Sequence, residues 1–152
     1  SQLAALGADP VIVAAVEAQN ARNMTLDQIK QLDKTWIDTP GIDAFKREIM
    51  DNTCSQYLRD QVQSKDTAYV EIFVMDNQGA NVAMTDANSD YWQGDEAKFQ
   101  KSYAGGSGSV FVDDVEFDES TQTYLTQVSV PVVKGGRAIG AITIGIDVDQ
   151  VQ

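Results

Sequence analysis

The sequence predicts an α+β fold in which a helical part packs on one antiparallel sheet. Apolar residues recur every three to four positions over the first ~65 residues and every second position afterwards. The strand-like segments are separated by short turn signals, which is typical of antiparallel strands, and we expect about five of them. Neither an internal repeat nor a second domain is indicated. We therefore expect one domain, with a helical part at 1–65 and a sheet part at 66–152.

Capping signals define the first two predicted helices. Asp9 followed by Pro10 is typical of an N-cap with proline at the first helical position, and predicts a helix over 11–21. Thr25 and Gln28 form a capping box, which predicts a second helix. The residues of these two helices expected to face the core are Val13, Val16, Ile29, Leu32 and Trp36.

A third and longer helix is predicted from Thr39 and Pro40, which repeat the cap-plus-proline pattern, to about Gln63. Its apolar stripe consists of Ile42, Phe45, Ile49, Met50, Cys54, Tyr57 and Leu58. A polar break at 64–67 follows it. Cys54 is the single cysteine, so an internal disulfide is excluded, and we expect a buried, unreactive thiol.

The second part of the chain predicts strands joined by turns. The predicted strands are 68–75, 81–85, 109–117, 122–133 and 137–147, with a short helix at 95–103 and a flexible loop at 105–108. Turn signals at 118–121 and 134–136 make the last three strands into consecutive hairpins. This arrangement gives a sheet built from chain neighbours.

The two faces of this sheet differ in chemistry. One face is branched aliphatic and consists of Val128, Val130, Val132, Ile142, Ile144 and Ile146. The other face is small and polar and consists of Gln127, Ser129, Pro131, Ala141, Thr143 and Gly145. The aliphatic face suits packing against a helix, and the small face leaves room for a ligand pocket with the loop 90–93 as its lid. The alternative is that these side chains are small because a covering helix packs closely on them.

Composition and missing residue types exclude several functions. The 43% hydrophobic and 22% charged residues are ordinary for a globular protein, and the net charge of -12 argues against a nucleic-acid partner. Histidine is absent, which excludes Ser-His and Cys-His catalysis and histidine zinc sites. No phosphate loop or nucleophile elbow occurs. We therefore expect a protein that is not an enzyme and that carries no cofactor.

Acidic residues cluster in two places where they could serve as cation ligands. Asp86, Asn88 and Asp90 follow the first half of a calcium loop. Tyr91 replaces the glycine of that motif and Ala97 replaces its closing glutamate, so the motif fails and no metal site is predicted. A looser cation site, with a solvated hairpin tip as the alternative, would use Asp113, Asp114, Glu116 or Asp118.

The order of these segments resembles the Cache superfamily of PAS-like extracytoplasmic sensor domains. The segments that carry the resemblance are EIFVMDNQG, NVAMT, SDYWQGDEAKF, QVSVPV and AIGAITIGIDV, after a long helical N-terminal part. The resemblance covers nearly the whole chain and looks like the single-module form. It implies a PAS-like central antiparallel sheet with the helical part on one face and a ligand pocket on the other.

The resemblance also implies which residues bind a ligand. Tyr91 and Trp92 would line the pocket, and its floor would consist of Gln127, Ser129 and Thr143. Amino-acid-binding members carry an arginine near these aromatics, and dicarboxylate-binding members use arginine and histidine. Neither residue type occurs between Asp60 and Gly136, which weakens both ligand assignments.

The residues themselves leave the charge of the ligand open. Asp90 beside the two aromatics could hold an amine through a carboxylate and a cation–π contact. Alternatively, Lys98 on the following helix could bind a carboxylate. We expect a small polar metabolite, which could be an amine, an amino acid or a short carboxylate.

These observations favour a ligand-binding sensor domain of a bacterial signal-transduction protein. It would lie in the periplasm or another extracytoplasmic space, as part of a membrane-anchored parent, and the sequence pattern predicts neither a membrane span nor a signal peptide in this stretch. The alternative is a free-standing periplasmic interaction module, a homodimer through its helical part, without a small-molecule ligand. A cytoplasmic PAS domain with a cofactor is disfavoured by the long helical N-terminus and by the lack of histidine.

Overall fold

The computed structural model describes residues 2–64, 68–119 and 122–150. The helices are α1 (Gln2–Gly7), α2 (Pro10–Asn20), α3 (Leu26–Asp38), α4 (Ala44–Met50), α5 (Thr53–Gln63) and α6 (Ala97–Tyr103). The strands are β1 (Tyr69–Met75), β2 (Asn81–Met84), β3 (Phe111–Val112), β4 (Glu116–Asp118), β5 (Thr123–Lys134) and β6 (Arg137–Asp147). Parts of the predicted break at 64–67 and of the turn at 118–121 lie outside the described residues.

All strand pairs of the sheet are antiparallel, which confirms the predicted fold class. The 6-stranded sheet has the order β2-β1-β6-β5-β3, and β4 also pairs with β5. Its longest pairing joins β5 to β6, with Val130 opposite Ile142 and Ser129 opposite Thr143. The last predicted strand, 137–147, has the bounds that the sequence indicated.

The predicted strand over 109–117 is wrong, because the structure has two short strands there. The residues between β3 and β4 turn locally, since the carboxylate of Asp113 accepts a hydrogen bond from the backbone N–H of Asp114 at 2.8 Å. Asp113 still donates its own N–H to the carbonyl of Gln127 at 2.9 Å, and its carbonyl accepts from the hydroxyl of Thr126. Aspartate side chains commonly compete with the ladder in this way.

The capping residues predicted for α2 and α3 are confirmed. Asp9 accepts from the backbone of Val11 with Pro10 at the start of the helix. Thr25 and Gln28 form both hydrogen bonds of the capping box at α3.

The predicted continuous helix over 40–63 is wrong, because two side chains cap new helices within it. Asp43 caps α4 through Lys46, and Asn52 caps α5 by accepting from the N–H of Ser55 at 2.8 Å. Asn52 also donates to the carbonyl of Val82 in β2, so its capping geometry is fixed by the sheet. Ile42, expected in the apolar stripe, precedes α4 and is 45% exposed.

The aliphatic face of the sheet packs against helices, as predicted. The cluster on this face contains Ile12 and Val16 of α2 and Leu58 of α5, all without exposed surface. A second cluster on the opposite face joins Trp36 of α3 to Phe73 and other residues. Helix α6 packs over β5 and β6 on this second face.

Replacing Gly140 by alanine should destabilise the protein by about 2 kcal/mol, since overpacking a buried position forces the backbone to move. An added Cβ would lie 2.3 Å from the carbonyl oxygen of Met75 and 2.9 Å from a methyl group of Val16. Chemical denaturation would measure the loss. Val112→Ala, at a site 63% exposed, is the control and should change stability by less than about 0.5 kcal/mol. Equal losses in the two variants would contradict close packing at Gly140.

Candidate functional site

Two adjoining cavities lie over the small and polar face of the sheet, and we call them together the sheet-face site. The small cavity has a volume of about 160 Å³ and lies between β1 and the segment that leads into α6. The large cavity has a volume of about 630 Å³ and extends towards β4 and β5. The residues that line both are Glu71, Glu96, Lys98 and Gln127.

The floor of the site is a hydrogen-bonded pair that spans three strands. Glu71 of β1, Gly145 of β6 and Gln127 of β5 lie opposite one another in register. The amide Nε2 of Gln127 donates to Oε1 of Glu71 at 3.0 Å, over the glycine. A Cβ at position 145 would lie 2.6 Å from Cγ of Glu71, so the glycine makes room for the crossing side chain. The sequence-based site did not include Glu71, which lies on this face because side chains alternate along β1 and Ile72 faces the aliphatic cluster.

The roof of the site is the loop between β2 and α6. Asp90, Gln93 and Glu96 line the small cavity from this loop. Nε2 of Gln93 donates to the carboxylate of Asp90 at 3.1 Å. Gln93 is 4% exposed, and its Oε1 is the one buried side-chain oxygen or nitrogen without a hydrogen-bond partner in the part of the chain that the structure describes.

Helix α3 anchors this loop. The carboxylate of Asp33 accepts from the backbone N–H groups of Tyr91, at 2.9 Å, and of Trp92, at 3.0 Å. On the other side, the Asn81 side chain donates to the carbonyl of Asp90 at 3.1 Å. The loop expected as a lid is therefore fixed by hydrogen bonds to both a helix and a strand.

Carboxylates that face one another set the electrostatics of the roof. Burial, followed by repulsion from Glu96, Asp33 and Asp95, raises the pKa of Asp90 from 3.8 to about 6, and Lys98 opposes this shift. The pKa of Glu96 is also raised, mainly by burial. Nζ of Lys98 lies 3.9 Å from a carboxylate oxygen of Glu96. It also lies 5.6 Å from the centre of the Phe73 ring.

Three of the predicted ligand-binding residues line the site: Asp90, Lys98 and Gln127. Ser129 and Thr143 do not, because α6 packs on their strands and neither side chain is exposed. Their hydroxyl groups hydrogen bond to each other at 2.7 Å. The expectation that small residues leave open space therefore holds around Gly145, and the close-packing alternative holds around Thr143.

Neither predicted aromatic lines the sheet-face site. The ring of Tyr91 is 1% exposed and packs among the helices, with its centre 5.9 Å from that of Trp36 and 5.1 Å from that of Phe45. The indole N–H of Trp92 donates to the carbonyl of Gln78 at 2.8 Å, and Lys30 lies over the ring. The backbone of this segment is held by pairing with the start of β2, through a bridge between Trp92 and Ala80 and a hydrogen bond from the N–H of Asn81 to the carbonyl of Tyr91 at 2.9 Å.

The described ranges contain neither a metal-binding cluster nor a membrane-spanning helix. Within 2–64, 68–119 and 122–150, the side chains of His, Cys, Asp and Glu form no group of three or more that could hold a metal ion. Over the same ranges, every helix is too short or too polar to cross a bilayer.

The fold is similar to that of a solved bacterial sensor domain. The chain superimposes on the sensor domain of the V. cholerae histidine kinase DctB with a TM-score of 0.55 and 16% identity, covering 95% of this chain and 46% of that one. The chain therefore shares the fold of that sensor domain, and the predicted α+β fold with a central antiparallel sheet is confirmed. No protein-family model matches the sequence. No curated protein matches it either.

Two chemoreceptor domains are more distant in structure. The ligand-binding domain of Campylobacter jejuni Tlp3, solved with 4-methylisoleucine, has a TM-score of 0.45 and 18% identity over 90% of this chain and 54% of that one. The domain of the Pseudomonas aeruginosa amino acid chemoreceptor PctC, solved with GABA, has a TM-score of 0.44 and 14% identity over 89% and 56%. The chain thus spans about half the length of the structures that it matches.

Replacing Asp90 by asparagine should stabilise the unliganded protein at neutral pH. The folded-state pKa of about 6 lies above the ordinary 3.8, so ionisation of Asp90 costs stability as pH rises from about 4 to 6. Asparagine can still accept from Gln93 but carries no charge. We expect a gain of about 1 kcal/mol at pH 7.5, because solvent screens this half-buried group, and a gain near zero at pH 4.

Denaturant unfolding of both proteins at several pH values would measure this difference. Asp86→Asn, at an exposed aspartate of the same loop, controls for the loss of one charge. A gain for Asp90→Asn that is the same at pH 4 and pH 7.5 would contradict the electrostatic account.

Proposed function

We propose that the chain is a single sensor module, spanning 1–152, of a bacterial signal-transduction protein, and that it binds a small polar metabolite in the sheet-face site. The observation that carries the proposal is the meeting of polar side chains from floor and roof, Gln127 and Asp90 among them, over an otherwise well-packed sheet. Concave sites with a few convergent polar groups are where small ligands bind. The likeness in fold to a histidine-kinase sensor domain supports an extracytoplasmic location and a membrane-anchored parent.

The roles of the remaining predicted residues follow from their positions. Asp90, Lys98 and Gln127 would contact the ligand directly, together with Glu71 and the other lining residues. Ser129 and Thr143 lie on β5 and β6 where α6 covers these strands, and they would support the floor of the site. Tyr91 and Trp92 would position the roof loop through their backbone N–H groups and their packing on the helices.

A bound ligand would connect two separately built parts of the molecule. The floor belongs to the sheet, and the roof belongs to a loop attached to α3. A ligand that contacts both parts would bind more tightly when floor and roof are correctly spaced than when they are not. That difference in affinity between the two arrangements would shift a signalling equilibrium. The output would leave through the N-terminal helices and the end of β6 near Asp147.

A thermal-shift screen tests the proposal with amino acids, amines, short carboxylates and purines. A ligand at a hundred times its dissociation constant should stabilise the protein by about 2.7 kcal/mol, which raises the melting temperature by several degrees. Gln127→Met removes the floor amide while keeping the length of the side chain, and should reduce the shift by at least half. Gln56→Met, at an exposed position of α5, is the matched control and should leave the shift unchanged.

Two results would count against this proposal. The first is the absence of any stabilising compound in the whole panel. The second is a hit that Gln127→Met leaves intact, since the ligand would then bind elsewhere.

A second candidate function is self-association through the helical part. It rests on two apolar side chains of α3, Leu26 at 40% and Ile37 at 56% exposed. They are eleven residues apart, which is about three turns, so they lie on the same side of the helix. Apolar side chains on one helix face are the pattern that a helical dimer interface needs.

Sedimentation analysis would test self-association. If the chain dimerises through α3, Ile37→Glu should produce a monomer at concentrations where the unmodified protein is a dimer. Val115→Glu, at a residue of the sheet edge that is 55% exposed, is the control and should not change the mass. A monomeric unmodified protein would remove this candidate.

A further inference from the structure

The sheet-face site is strongly acidic. Its lining carboxylates, from both cavities, are Glu71, Asp90, Glu96, Asp113, Asp114, Glu116 and Asp118. Lys98 is the one cationic side chain among the lining residues that the structure describes, and it already lies beside Glu96. A ligand carboxylate would therefore meet repulsion from most of the wall.

An acidic surface alone does not define a site, but a buried acceptor in the small cavity provides independent evidence. Oε1 of Gln93 has no donor within the described residues, although the side chain is almost completely buried. The amide cannot be reversed without cost, because its Nε2 is engaged by Asp90. An ammonium group has three donors and no acceptor, so it matches the unpaired Gln93 oxygen and the neighbouring carboxylates together.

Burial and neighbouring carboxylates together raise the pKa of Asp90, so its surroundings disfavour its negative charge. Glu96, Asp33 and Asp95 all repel the charge of Asp90, and Lys98 compensates only in part. A bound cation would reverse this balance, since an opposite charge nearby favours the ionised carboxylate.

The large cavity is also lined by carboxylates. Asp113, Asp114 and Glu116 line the large cavity, whereas Asp90 lines the small one. Each cavity also has an apolar side chain in its lining, Phe73 in the small cavity and Leu125 in the large one. Methylene groups would find apolar contacts there while ammonium groups at each end meet carboxylates.

We propose that the ligand of the sheet-face site is a linear aliphatic diamine, with one ammonium group among Asp90, Gln93 and Glu96 and the other against Asp113, Asp114 and Glu116. This inference rests on the proposed function and names the chemical class of its ligand. It differs from an amino acid, which would place a carboxylate where the second ammonium group lies.

Titration calorimetry with four probes tests the proposal: butane-1,4-diamine, pentane-1,5-diamine, butylamine and 4-aminobutanoate. We expect at least one diamine to bind up to about fivefold more tightly than butylamine, which is the factor that an ion pair with exposed carboxylates contributes. We expect 4-aminobutanoate to bind more weakly than butylamine. Equal affinities of diamine and monoamine would overturn the two-ended site.

Acidic variants locate the two ends. Glu96→Gln should weaken both the diamine and butylamine by about tenfold, whereas Glu116→Gln should weaken the diamine and leave butylamine unchanged. Glu119→Gln, at an exposed residue outside both cavities, is the matched control. Equal weakening by Glu116→Gln and Glu119→Gln would indicate unspecific attraction to an acidic surface and would overturn the proposal.

Lysine variants decide the sign of the ligand charge. Lys98→Met removes a cation that competes with the ligand, so diamine binding should tighten by a few-fold. Lys101→Met, on the same helix and outside both cavities, should have no effect. If instead a carboxylate from the wider panel binds and Lys98→Met abolishes that binding, the diamine proposal is overturned and the ligand-binding function stands. Failure of every compound to bind overturns both.

Discussion

The pairing of β5 with β6 is the constraint on which the rest of the structure depends. Side chains alternate along both strands, so an aliphatic row at Val128–Val132 and Ile142–Ile146 assigns the helical layer to one face. The intervening residues must then line the other face, where Gly145 permits Glu71 to cross towards Gln127. The acidic floor therefore follows from the same alternation that builds the core.

Much of the fold could be predicted because local patterns agreed with the tertiary structure. The bounds of β6 and the capping of α2 at Asp9 depend on neighbours within a few residues. The split between α4 and α5 depends on Asn52, whose amide also binds the carbonyl of Val82 thirty residues away. A sequence pattern contains the asparagine but not its partner, so the apolar stripe on both sides indicated one continuous helix.

The candidate site was predictable only where strand alternation determined it. Gln127 was placed on the correct face because it alternates along β5 with the aliphatic residue Val128. The same alternation along β1 would have identified Glu71 as a lining residue. Tyr91 was misplaced because an adjacent pair of aromatics resembles a ligand-binding loop. Its ring packs on Trp36 and Phe45 of two distant helices, and its backbone N–H donates to Asp33, none of which a local pattern reveals. The unpaired Gln93 oxygen likewise depends on the assembled fold.

The roof loop connects the site directly to the helical part. Besides Asp33, α3 contributes the indole N–H of Trp36, which donates to the carbonyl of Asn88 at 2.8 Å, and Asn88 lines the small cavity. A ligand that draws Asp90 towards the floor would act on a segment held at Asn88 and Tyr91 by one helix. A displacement of this segment would therefore act on α3 through the hydrogen bonds of Asp33 and Trp36. The hydrogen bonds that restrict movement of the roof loop as a lid are therefore the same ones that couple it to α3.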